Sequence, residues 1–174
     1  MTAITKPTLP AGVDLAFEEL MDGMDGGSLH IAEGEYTDEA AIKTAFADQT
    51  ALATELAKYE ELGEFQETPF SITSTVEVKK TYHTSRQGKR TTVVSLNIAG
   101  LSAEQKEWLE SVMPKIIMSI AIVSDDQDKV LVFNKHKWAI DWKGEADGFW
   151  NITVKTEFSG HTKNRIVPVP CPEA

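Results

Sequence analysis

Along residues 70–98 hydrophobic and polar side chains alternate with a period of two. Phe70, Ile72, Val76, Val78 and Tyr82 fall on one side, and Ser71, Thr73, Thr75, Glu77, Lys79 and Thr81 on the other, as successive side chains of a strand must. After a turn at Ser85–Lys89 the pattern returns through Thr92, Val94, Leu96 and Ile98, with Thr91, Val93, Ser95 and Asn97 opposite. This predicts an antiparallel hairpin whose strands exceed the usual length of about 5–6 residues.

The flanking segments carry other periods. Ser28–Tyr36 alternates Leu29 and Ile31 with His30 and Ala32, a short strand after the glycine-rich loop Asp22–Gly27. From Thr37 the spacing turns helical, with Ile42, Phe46, Leu52, Leu56 and Tyr59 on one stripe. It predicts a helix over 38–62, capped at Thr37 or Asp38, with Gln49-Thr50 as its weakest point. A second helix is predicted over 102–113: Ser102 and Gln105 make a capping box, Trp108, Leu109 and Val112 an apolar face, and Pro114 a stop. Residues 115–158 read as a β-meander, broken at Asp125-Asp126, Asn134-Lys135 and Gly144–Gly148. The tail 166–174 holds three prolines and is excluded from a central strand. Residues 1–12, with Pro7, Pro10 and Gly12, read either as an arm that orders against something else or as a frayed end. The expected fold is mainly β with flanking helices (α+β), an antiparallel sandwich or barrel in a single domain spanning 1–174.

Composition supports a packed core. A chain of 174 residues with 41% hydrophobic and 25% charged side chains is ordinary for a globular domain, and a fold of this size buries roughly 70% of the surface of its unfolded chain. Cys171 is the only cysteine, which excludes an intramolecular disulfide and a cysteine-rich zinc site and makes cytoplasmic assembly the simplest setting. No secretory leader pattern opens the chain, and no stretch approaches the roughly 20 apolar residues of a membrane span.

Charge divides the chain more sharply than hydropathy does. The net charge of −10 combines 15 acidic and 3 basic side chains in residues 1–70 with 12 acidic and 14 basic in 71–174. Such a balance argues against a whole-chain nucleic-acid binder. Lys79, Lys80, Arg86, Lys89 and Arg90 crowd the tip of the predicted hairpin, whereas Glu18, Glu19, Asp22 and Asp25 mark the acidic first third. A positive hairpin and a negative body on one chain suit head-to-tail docking between identical copies. The alternative is that these cations guard a sheet edge against aggregation. Trp138, Trp142 and Trp150 are candidates for core or for interface anchors.

Catalytic patterns are sparse. His30, His83, His136 and His161 lie on separate segments without paired ligand spacing. Neither Gly27-Ser28 nor Ser159-Gly160 supplies a nucleophile elbow, and the glycines at 23, 26 and 27 sit among aspartates that would repel a phosphate. Asp22, Asp25 and the run Asp125-Asp126-Gln127-Asp128 offer calcium-type oxygens in a spacing that departs from the helix-loop-helix calcium pattern. Glu60, Glu61 and Glu64 could be nominated as paired carboxylates but read more simply as a solvated helix face. The expectation is a non-enzymatic chain without cofactor or metal.

The order of elements, a long hairpin, a capped helix, a terminal β-meander and extended ends, resembles the tail-tube proteins of tailed bacteriophages and related contractile injection systems. The likeness covers about residues 65–160. Val130-Leu131-Val132-Phe133, Gly148–Val154 and Glu157-Phe158-Ser159-Gly160 resemble the final strands of virion tail subunits. The resemblance implies hexameric rings stacked into a tube, a lumen that passes DNA without binding it specifically, and partners that are copies of the chain and other virion tail proteins. It also implies residence in the virion after assembly in a host cytoplasm. Other readings are a tail terminator or head-tail joining protein, which would form one ring, and a small acidic protein-binding module using Glu18, Glu19, Asp22, Asp25 and the acidic run at 55–67.

Overall fold

The stretch Met118–Ser124, MSIAIVS, is buried at every position, which a strand achieves only when both of its faces are covered. A computed structural model of the chain shows how. It describes residues 6–11, 26–66, 70–144, 146, 150–160, 162 and 164–173. Nine strands are present among them: β1 (Gly26–Glu33), β2 (Glu60–Gln66), β3 (Phe70–Lys80), β4 (Ser85–Leu101), β5 (Met118–Ser124), β6 (Lys129–His136), β7 (Ala139–Gly144), β8 (Trp150–Ser159) and β9 (Ile166–Pro170). They form two antiparallel sheets, one ordered β2-β1-β5-β6-β9 and the other β3-β4-β8-β7. The sheets stay open, so the fold is a sandwich and not a barrel.

One face of the five-stranded sheet packs Leu29, Ile31, Ile120, Ile122, Leu131 and Phe133 against Val94, Leu96, Ile152 and Val154 of the four-stranded sheet. Helix α3 (Ala103–Val112) closes this core with Leu109, followed by Met113. The other face carries Ala121, Val123, Val130, Val132, Val167 and Val169 beneath α1 (Glu39–Ala45) and α2 (Gln49–Leu56), whose Ile42, Phe46 and Leu52 fill a second core. The five-stranded sheet is therefore the middle of three layers. Among the described residues no helix is long and apolar enough to cross a membrane.

The hairpin forms, but its turn is at residues 81–84, closed by Thr81 N–H donating to the Thr84 carbonyl at 2.7 Å. Ser85–Lys89, expected as the turn, are instead the first residues of β4, because cross-strand pairing runs out to Lys80↔Ser85. Helix α3 starts as predicted. The Ser102 hydroxyl accepts from the Gln105 amide at 3.3 Å, and the Gln105 side chain accepts from the Ser102 amide at 2.9 Å. The helix expected over 38–62 is two short helices and a strand. Asp48 caps α2 by accepting from the Ala51 amide at 2.8 Å, which starts a new helix where a continuous one would run on. Residues 60–66 join β1 as an edge strand, because an open ladder and a buried Leu62 outweigh the helical leaning of an acidic segment. The predicted 115–158 meander is divided: β5 and β6 belong to one sheet, β7 and β8 to the other. Trp138 sits at the crossing, buried, its indole donating to the Met118 carbonyl at 3.3 Å. The proline tail supplies β9 at a sheet edge, where a missing ladder donor is tolerated. Of the predicted N-terminal arm, residues 6–11 are exposed and outside any helix or strand.

Candidate docking site

The hairpin outruns the sheet that carries it. Pairing of β4 with β8 begins at Thr91↔Ser159, whereas pairing of β4 with β3 continues outward through Val76↔Arg90, Val78↔Gln87, Lys79↔Arg86 and Lys80↔Ser85. Residues 77–90 thus form a ribbon two strands wide that extends about 20 Å at roughly 3.4 Å per residue. Every residue in it is exposed apart from partly covered Gly88. Tyr82 at the tip is 95% exposed, edge-on to His83 at 4.5 Å.

A bulge marks the ribbon's root. Between Val76 and Val78 the register slips, so that Gly88 and Lys89 share the place opposite Glu77. A Cβ at residue 88 would lie 3.0 Å from Glu77 Oε2 and 3.1 Å from its carbonyl oxygen, so a larger residue would have to push the two chains slightly apart. Bulges of this kind bend and twist a strand, here where the ribbon leaves the body.

All five basic residues singled out from the sequence are on this segment. Lys79 and Arg86 face one another directly across the strands, an arrangement that repels. The Arg90 guanidinium donates to the Ser74 hydroxyl at 3.0 Å. Among the described residues Lys79, Lys80, Arg86 and Lys89 form no ion pair. Residues 77–90 hold five basic side chains and one acidic, Glu77. The proposed acidic counterpart, Glu18, Glu19, Asp22 and Asp25, lies outside the described residues.

The four-stranded sheet also ends in two open edges. Among the described residues no strand pairs with the outer side of β3 or β7, and the inward side chains there are only half-covered: Phe70, Ile72 and Val76 on β3, Ile140 and Trp142 on β7. Trp142 is 50% exposed and held in place, with Lys106 Nζ 4.0 Å from its ring centre and the Trp150 ring perpendicular at 4.8 Å. The three tryptophans therefore divide between core (Trp138) and surface (Trp142), with Trp150 between. The alternation could place Trp142 on the inner face; it could not show that the face stops there.

Other polar groups are engaged within the fold. Tyr36 donates to Glu55 at 2.7 Å and meets the Tyr59 hydroxyl at 2.7 Å beside a cleft of about 190 Å³. Burial and that contact raise the Tyr36 pKa, and burial pushes Tyr59 up to about 12. Ser28 Oγ lies 2.8 Å from His30 Nε2, a contact the sequence reading missed although the residues are two apart on one strand and so share a face. Burial lowers the His30 pKa, opposed by the charge of Glu61 on the paired strand. Their backbone partners, Val123 and Ala121, belong to the helix-covered face, which makes this pair part of the second layer contact. His136 is buried with Nε2 unbonded, stacked on Phe158 at 5.0 Å and perpendicular to Trp138 at 5.3 Å. The run Asp125–Asp128 forms the exposed β5–β6 turn. Among the described residues no group of three or more His, Cys, Asp or Glu is placed to hold a metal ion.

No protein-family model matches this sequence, and a search of curated proteins finds no match.

Proposed function

We propose that this chain is a structural subunit that joins copies of itself into rings and stacks them as a tube of the phage-tail type, through which DNA passes without specific binding. The observation that carries the reading is the pair of open edges on the four-stranded sheet. In the order β3-β4-β8-β7 each neighbour is antiparallel, so β7 runs parallel to β4 and antiparallel to β3. A rotation that brings β7 of one copy beside β3 of the next therefore presents the two edges in antiparallel sense. Repetition of that contact closes a ring and removes both edges. The half-covered side chains of β7 and β3 would meet at the seam and extend the sandwich core across it.

Mass photometry and negative-stain microscopy over a range of concentrations test this. Rings or tubes are expected. A strictly monomeric species at the highest concentration overturns the proposal, and a single ring that never lengthens replaces it with a terminator or joining role.

A further inference from the structure

The two ends of the five-stranded sheet differ in their relation to the ribbon. Gly160 donates to the Arg90 carbonyl at 3.2 Å, the Arg165 guanidinium lies 5.0 Å from the Phe158 ring centre, and Asn134 donates to the Arg165 carbonyl at 2.8 Å. These contacts put the end of β6 and the start of β9 beside the ribbon's root. From there β6, 8 residues long, leads back to Lys129, about 23 Å from His136 at the rise of a strand. At that far end is the turn Asp125-Asp126-Gln127-Asp128, all exposed.

The far turn is both acidic and fixed. Ser124 Oγ donates to Asp128 Oδ1 at 2.8 Å, Gln127 N–H to the Ser124 carbonyl at 3.0 Å, and Cys171 N–H to the Asp128 carbonyl at 2.7 Å. Asp125 and Asp126 have no hydrogen bond or ion pair among the described residues. Asp48 is close by, since Gln49 donates to the Pro172 carbonyl at 3.0 Å, and Glu173 is exposed in the same tail. Lys129 is the basic residue that follows the turn. The chain also enters β1 at this end, because Gly27 pairs with Ser124.

We infer that the ribbon is a docking arm that seats on the far end of a second copy, around Asp125 and Asp126. The inference rests on the self-assembly reading and names the contact between stacked copies. Unneutralised cations project from one end of the molecule, and unneutralised carboxylates stand at the other. Complementary charge of this kind steers encounter and sets register. The near end also has carboxylates, Glu33 at the end of β1 and Glu60 and Glu61 where β2 begins, but a ribbon seated there would join like ends, and such an isologous pair closes on itself. A contact between unlike ends is heterologous and propagates.

A charge exchange tests the pairing by mass photometry of the full chain at low salt. Arg86→Glu with Lys89→Glu, and separately Asp125→Lys with Asp126→Lys, are each expected to weaken stacking by about tenfold or more. All four changes together should restore it to within a few-fold. Circular dichroism verifies that each variant is folded, which exposure of all four residues favours. The inference is overturned if the fourfold variant associates no better than the worse pair. It is equally overturned if Glu60→Lys with Glu61→Lys rescues the ribbon reversal as well as the turn does. Should the wild type assemble and be indifferent to every reversal, the arm is wrong while self-assembly stands; a monomeric wild type removes both.

Discussion

Acid should loosen this fold through His136. The ring is buried between Trp138 and Phe158 with its Nε2 unbonded. Burial, reinforced by the nearby Arg165 charge and opposed by a backbone hydrogen bond with Arg165, lowers its pKa from 6.5 to about 4. The folded state therefore favours the neutral ring, and the unfolded chain takes up the proton first as pH falls. The contribution of this residue is whole above pH 6.5, declines between 6.5 and about 4, and is constant below. The gap corresponds to about 3 kcal/mol in full, and to about 2 kcal/mol by pH 5. Urea denaturation followed by tryptophan fluorescence, at pH 7.5, 6, 5 and 4, would measure it in wild type and in His136→Phe. All other titratable groups are common to both proteins, so the difference between the two curves isolates residue 136. The variant is expected to lose less stability on acidification by that amount. Parallel curves across the whole range would refute the reasoning.

Two other substitutions probe different layers. Phe46→Ala empties the fully buried centre of the helix-covered core, where Tyr36 and Tyr59 meet the ring edge-on at 6.2 and 6.3 Å; a loss of about 3–5 kcal/mol in chemical denaturation is expected. Trp142→Ala removes a half-exposed ring from the β7 edge, so it should leave monomer stability within about 1 kcal/mol while reducing ring formation seen by mass photometry.

What could be read from the sequence depended on whether the cause was local. The Ser102–Gln105 box and the period-two hairpin are set by residues close in the chain, and both stand in the fold, the hairpin with its turn at 81–84 and not at the expected 85–89. The 60–66 segment is helical in composition and extended in fact, because the deciding partner, β1, lies some thirty residues earlier. The continuous apolar run of β5 announced a strand without revealing that helices cover its second face. The division of the meander between two sheets turns on the crossing at Trp138, which alternation cannot register. At the candidate site the five cations were legible as a cluster. Their projection beyond β8 was not, since it depends on where the third strand stops.

That projection also bears on the competing account of the charges, that they protect a sheet edge. Protection belongs on the flank of the body, where an unpaired ladder could recruit another strand. The flank of β3 along the body, Phe70–Val76, reads FSITSTV and carries no charge at all. Four of the five cations lie past it, on a ribbon with no second layer behind it, and Arg90 stands at the root opposite Val76. Isolated two-stranded ribbons are marginal in water, and Lys79 opposite Arg86 makes this one less stable still. A guard would not be placed where there is nothing to guard, at the expense of the element that bears it. An arm that gains its stability on meeting an anionic surface accounts for the placement, and the uncharged body flank then remains available for the strand of a neighbouring copy.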